Sequence, residues 1–229
     1  MATAEEAKAE CIKKMGQELG AQYAELWQDI AHLHMNWGEY VVLFGTKPSR
    51  VDLLNRAAPA FFGMFEREMW KSILLHLARL TDPTESLGNR RKKNLTLQNL
   101  PGLVGDPHLK KRLEDLLVEA EKCTKFCRDW RNRTIAHRDL DLALDRPPVA
   151  LENGSRRNVN DALDIIVKTL NELSHHYLDT QNHFRAVGWI GGATSLLHVI
   201  DDGLREGEKR QARLREGTLA DDDFHRKDI

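Results

Sequence analysis

Apolar residues recur along the first part of the chain at spacings of three and four: Leu19, Tyr23, Leu26, Trp27, Ile30, Leu33 and Trp37. That period lays them on one stripe of a helix, so a long amphipathic helix is expected from about Thr3 to Trp37. Gly45-Thr46-Lys47-Pro48-Ser49 breaks the pattern, with Ser49 a candidate N-cap for the next helix. Val51, Leu53 and Leu54 mark that helix, and Pro59, lacking an N–H, restarts or kinks it. From Phe61 to Leu80 large apolar groups (Phe62, Phe65, Trp70, Ile73, Leu74 and Leu77 among them) fall on more than one face. This pattern belongs to the central helix of a bundle. Thr81-Asp82-Pro83 ends it, because the residue before a proline is pushed out of the α region.

After a polar loop at 84–94, a short apolar turn from Leu95 to Val104 is expected to cap the core. Asp106-Pro107 opens a helix that carries Leu113, Leu116, Leu117 and Ala120 on to about His137. Residues 145–155 read as a loop. The cleanest heptad follows, Leu163, Ile166, Leu170, Leu173 and Tyr177, with Asn160 placed to cap it. A charged helix is expected from Ile190 to about Leu214, and the acidic end around Asp221-Asp222-Asp223 reads as a disordered tail. No segment carries a strand or hairpin signal. The expectation is an all-α protein: an antiparallel helical bundle over 1–187, then a charged C-terminal helix and tail over 188–229.

Composition narrows the function classes. The 229 residues are 41% hydrophobic and 30% charged, and 34 Lys and Arg face 35 Asp and Glu. No global field therefore draws the chain to nucleic acid. No apolar h-region opens the sequence, and no apolar run approaches the roughly 20 residues that cross a bilayer. Cys11, Cys123 and Cys127 are too few for a disulfide framework, so a reducing cytoplasm is the expected compartment, with no membrane association.

Local charge alters that picture. Residues 122–138 hold Lys122, Lys125, Arg128, Arg131, Arg133 and Arg138 against Asp129 alone. With Arg90, Arg91, Lys92 and Lys93 they could form a phosphate-binding surface. A solvated helix face would look the same by charge counting. Within the stretch, Arg131 and His137 have the residue types that metal-free RNA cleavage needs. An imidazole titrates near neutrality and can move the 2′-hydroxyl or leaving-group proton. A guanidinium offers two donors to a phosphorane. At about 100° per residue, positions six apart on a regular helix diverge by about 120°. Either the helix is distorted there or a second copy completes the site. An Arg and a His at this spacing also occur by chance, and His137 would suit any helix C-terminus.

The run Arg131-Asn132-Arg133-Thr134-Ile135-Ala136-His137 resembles the signature of HEPN domains. Trp130, Arg138-Asp139-Leu140-Asp141, Phe61-Phe62-Gly63, Trp70, Ala78-Arg79-Leu80-Thr81-Asp82-Pro83 and Asn94-Leu95-Thr96-Leu97 extend the likeness, in order, to the AbiU2-like branch over about 50–180. The resemblance implies a helical bundle, commonly a homodimer with facing motifs. It also implies metal-independent endoribonuclease activity, often in phage defence or beside an antitoxin partner, with no cofactor. By the same resemblance Arg131 would contact the scissile phosphate, His137 would be the general acid/base, and Asn132 would orient the motif or the substrate. Arg128, Arg133, Arg138, Arg90, Arg91, Lys92 and Lys93 are the candidate RNA contacts. The alternative is a non-catalytic helical module that binds RNA or a partner protein. For Arg79 and Asp82 the plainer reading is an ion pair or helix stop, and the other is support of the site.

Three lookalikes fail. His137-Arg138-Asp139-Leu140 imitates a kinase catalytic loop, but Leu144 stands where a magnesium-binding Asn is needed. Cys123 and Cys127 lack the second ligand pair of a structural zinc site. Gly191-Gly192 has no strand before it to make a phosphate loop. His175 and His176 read as surface residues.

Overall fold

A computed structural model describes residues 3–85, 92–144, 146, 150–184, 191–218 and 223. Arg90, Arg91 and all of the acidic tail except Asp223 lie outside the described residues. The described chain is helical, and its one β feature is an isolated antiparallel bridge between Glu85 and Lys93. No described helix is long and apolar enough to cross a membrane.

The expected first helix is two. α1 (Ala4–Met15) starts with a capping box on Thr3 and Glu6 and stops at Gly16, whose φ of +87° suits only glycine. α2 (Gln17–Tyr40) follows, and at Gly20 a Cβ would sit 2.5 Å from the Cys11 carbonyl, so glycine lets the two helices touch backbone to backbone. A π-helical turn, Val41–Gly45, prolongs α2. α3 (Pro48–Ala57) is capped at Lys47 rather than the expected Ser49, because Pro48 at the first helical position already has the right φ. α4 (Pro59–Leu80) restarts at Pro59 as expected.

Beyond α4 come a 3-10 turn (Leu97–Leu103), α5 (Pro107–Cys123), α6 (Lys125–Trp130), the four-residue α7 (Leu140–Ala143), α8 (Arg156–Leu173) and α9 (Ala193–Glu216). Ser155 caps α8, its Oγ accepting from the Asn158 N–H at 3.2 Å. The expected cap, Asn160, instead accepts from Trp37 Nε1 at 2.8 Å. That reassignment moves the helix start five residues earlier than a cap at Asn160 would place it.

Contacts divide the chain into two units. The first contains Met1–Gly38 and Glu68–Val187. Paired partners fix its helix directions. Tyr23 meets Ser174 and Trp37 meets Asn160, so α2 and α8 run antiparallel. Asp29 meets Arg79 and Trp37 meets Trp70, which makes α2 and α4 antiparallel too. Arg112 reaches Glu172 while Leu116 and Ala120 pack on Ile165, giving the same result for α5 and α8. Leu26, Ile30, Leu33, Leu74, Leu77, Leu113, Ile166 and Leu170 form the fully buried interior. Trp27 departs from its stripe. It is 39% exposed, donates Nε1 to Asn182 and tilts against Phe184 at the rim.

The second unit contains Glu39–Arg67 and Gly188–Ile229. Its core is Leu43, Leu54, Phe62, Ala193 and Leu197, drawn from the π turn, α3, α4 and α9. α4 is apolar on several faces because its two ends serve different cores: Phe62 here, and Ile73 to Leu80 in the first unit.

His76 on α4 gives the first unit a pH dependence. Its Nε2 is buried, 3.4 Å from Asp29 Oδ2, and makes no hydrogen bond to a described residue. Burial lowers the imidazole pKa from its ordinary 6.5, with Asp29 pulling part of the way back. The unfolded chain therefore binds the proton more readily, and stability present above the ordinary value is lost as pH falls through it. Melting temperature should drop between about pH 8 and about pH 5, and His76→Gln should flatten that slope. An unchanged slope in the variant would contradict this account.

Candidate functional site

Thr124 separates α5 from α6. Its ψ of 6° leaves the helical region, and its Oγ1 donates to the Ala120 carbonyl at 2.8 Å. After six residues α6 widens into a π-helical turn, Arg131–Ile135. The Ala136 N–H reaches back to Arg131 O at 2.7 Å and the Asp139 N–H to Arg133 O at 3.0 Å, five and six residues instead of four. Thr134 Oγ1 donates to Trp130 O at 2.7 Å, the back-bonding that bends helices. Such π turns are rare and concentrate at functional sites. His137 lies past the last helical residue, in the bend before α7, so regular-helix arithmetic no longer governs where it points. The helix is thus distorted within the motif itself.

The outer side of α6 is held by the loop at 150–155. Trp130 Nε1 donates to Glu152 O at 3.0 Å and Asp129 Oδ2 accepts from the Glu152 N–H at 2.8 Å. At Gly154 a Cβ would lie 3.1 Å from Trp70, so this backbone sits directly on the aromatic rings.

Arg131 is fixed from two sides. Nη1 donates to both oxygens of Asp82, at 2.6 and 2.5 Å, and Nε donates to Asn132 Oδ1 at 3.0 Å. Nη2 donates to no described residue. His137 is exposed, and no hydrogen bond or ion pair ties it to a described residue.

The other cations separate into two groups. Arg128 is spent internally: Nη1 donates to Thr81 Oγ1 at 2.9 Å and Thr124 Oγ1 at 3.1 Å, and Nη2 to the Glu121 carbonyl. Arg133 lies between Asp129 at 3.6 Å and Asp139 at 3.5 Å. Arg138, Lys92 and Lys93 are exposed and form no ion pair with a described residue. Arg79 pairs with Asp29 at 3.2 Å, not with Asp82, which corrects the simple Arg79–Asp82 ion pair. The link between Asp82 and Arg131 carries no local signal, since the two are 49 positions apart.

The sequence model of the AbiU2 family, a HEPN family, matches residues 16–188, well over half of the chain. The chain belongs to the AbiU2 family of HEPN proteins. No curated protein and no solved structure matches it.

In this AbiU2 chain the lookalike residues have other work. Asp139 caps α7, accepting from the Leu142 N–H at 2.9 Å. Burial pushes the Cys127 thiol up to about 12, so it holds its proton at neutral pH. Among the described residues no three His, Cys, Asp or Glu side chains gather as a metal ion would need. A cleft of about 820 Å³ elsewhere in the first unit is lined by His34, Arg112, Lys168, His175 and Phe184, and none of the motif residues reach it. Its cations stand beside Glu172 and Asp164, so it offers a phosphate little net charge.

Removing Arg128 should cost stability. Arg128→Ala strips a donor from two buried hydroxyls and a carbonyl, an expected loss of about 1–3 kcal/mol. Denaturant titration of the variant checks it; an unchanged midpoint would mean these bonds are replaced by solvent.

Proposed function

We propose that this AbiU2 protein is a metal-independent endoribonuclease, a toxin or phage-defence effector, with His137 as general acid/base and Arg131 on the scissile phosphate. The observation that carries the reading is the contrast between the residue that opens the π turn and the one just beyond it. Arg131 is held by Asp82 and Asn132 with Nη2 bonded to no described residue, and His137 stands exposed with no partner among the described residues.

In the reaction the 2′-oxygen attacks phosphorus and the bond to the 5′-oxygen breaks, leaving a 2′,3′-cyclic phosphate and a 5′-hydroxyl. Neutral His137 takes the 2′-hydroxyl proton, or its protonated form gives a proton to the leaving 5′-oxygen. One imidazole does one of these at a time. A homodimer with facing motifs would supply both, which is the physical reason to propose two copies. Arg131 Nη2 binds a non-bridging oxygen and offsets charge gathering on the phosphorane. Arg138, Lys92 and Lys93 would track the flanking phosphates. An antitoxin would act by covering this surface.

The second reading, a non-catalytic module that binds RNA or protein, is favoured by one observation: Asp82 already balances the charge of Arg131. RNA incubated in EDTA with the wild type, Arg131→Ala and His137→Ala separates them. Cleavage lost in both variants supports the enzyme, whereas binding without cleavage, indifferent to His137→Ala, supports the module. Arg138→Ala should weaken RNA binding across sequences and reduce the salt slope by about 1, with no change in melting temperature. An unaltered slope would remove Arg138 from the contact surface.

A further inference from the structure

We propose that Asp82 is the positioning residue for Arg131, a carboxylate on a threonine-built support that fixes the guanidinium for the phosphorane rather than for ground-state RNA. The proposal rests on the ribonuclease reading above.

The support begins in the sequence Leu80-Thr81-Asp82-Pro83. Pro83 forces α4 to end, and the last turn tightens, with the Thr81 N–H on Ala78 O at 3.1 Å. Thr81 is buried, and its Oγ1 lies 2.8 Å from Thr124 Oγ1, the residue from which α6 springs. Arg128 on α6 donates to both hydroxyls. From the other side the buried Thr96 Oγ1 is 2.9 Å from Leu80 O and 2.8 Å from Asp82 O, its single proton shared between them. Two hydrogen-bonded sets thus flank Leu80-Thr81-Asp82: Thr96 holds the backbone that carries Asp82, and Thr81, Thr124 and Arg128 tie the end of α4 to the start of the helix that leads to Arg131. The carboxylate and guanidinium meet partly buried, 18% and 24% exposed, where solvent screens the pair less than at an open surface.

This arrangement is costly for simple attraction. The Asp82 charge cancels that of Arg131, so RNA in its ground state gains little from the pair. Direction is what remains. With Nη1 taken by Asp82 and Nε by Asn132, Nη2 is the nitrogen left for an incoming oxygen. Preorganised donors act on charge that develops in the transition state, and a loss of alignment near 1 Å can cost about 10²-fold in rate. Asp82→Asn keeps the shape and removes the charge. It should lower the single-turnover cleavage rate about 10–100-fold while RNA affinity stays the same or tightens.

The experiment compares wild type, Asp82→Asn and Arg131→Gln in cleavage rate, RNA affinity and melting temperature. It adds the ¹⁵N arginine spectrum, in which the Arg131 Nε–H signal is assigned by its loss in Arg131→Lys. A slower rate with undiminished affinity, and an Arg131 Nε–H that shifts and exchanges faster in Asp82→Asn, is the expected result. An unchanged rate or a faster one would overturn the proposal, the faster one marking Asp82 as a latch. So would a melting temperature that falls further in Asp82→Asn than in Arg131→Gln, which would mark it as a fold residue. Should the wild type not cleave RNA, the ribonuclease reading fails by itself; the Nε–H signal then decides whether Asp82 fixes Arg131, and an unmoved signal overturns it.

Discussion

Replacing His137 by alanine is expected to slow RNA cleavage by about 10²–10⁴-fold, the usual contribution of a positioned acid–base group. Melting temperature should not change. The side chain is exposed and bonded to no described residue, so its removal breaks nothing in the fold. Single-turnover rates beside a thermal melt of the same preparation make the check. A variant that cleaves at the wild-type rate would take the imidazole out of the chemistry. One that loses both rate and stability would show that His137 supports the fold instead.

Leu170→Ala carries the largest expected effect on stability. Leu170 is fully buried on α8, and the carbonyl of the same residue accepts from Ser174 Oγ at 3.1 Å beside the buried Tyr23 hydroxyl. Truncation leaves a cavity in the fully buried interior of the first unit, an expected cost of about 2–5 kcal/mol. For a chain of this size that is a fall in melting temperature of about 5–15 °C. Calorimetry would test it. A loss below about 1 kcal/mol would mean the site collapses around the smaller side chain.

The helical class and most of the core were legible because burial enforces period. The stripe Leu19, Tyr23, Leu26, Ile30, Leu33, Trp37 and the heptad Leu163, Ile166, Leu170, Leu173 both point inward. Helix interruptions were less visible. Gly16 and Thr124 each break a helix with a single residue, and so short a break barely disturbs the pattern on either side. The caps at Lys47 and Ser155 were missed because Ser49 and Asn160 have capping side chains that the backbone does not use.

At the site, residue types were legible and their partners were not. Arg131, Asn132 and His137 stand out in the chain as a motif. That Asn132 and Asp82 both hold Arg131, and that Arg128 braces two threonines instead of facing solvent, depends on helices brought together from distant segments. Charge counting over 122–138 suggested one basic surface. The fold neutralises Arg131 and Arg133 with carboxylates and turns Arg128 inward, leaving Arg138 as the exposed cation of those four.

The most direct test of the whole account is the mass of the new RNA ends made by purified protein in EDTA. A 2′,3′-cyclic phosphate opposite a 5′-hydroxyl, absent from the His137→Ala digest, is the predicted product. Intact RNA, or ends bearing a 5′-phosphate, would contradict it.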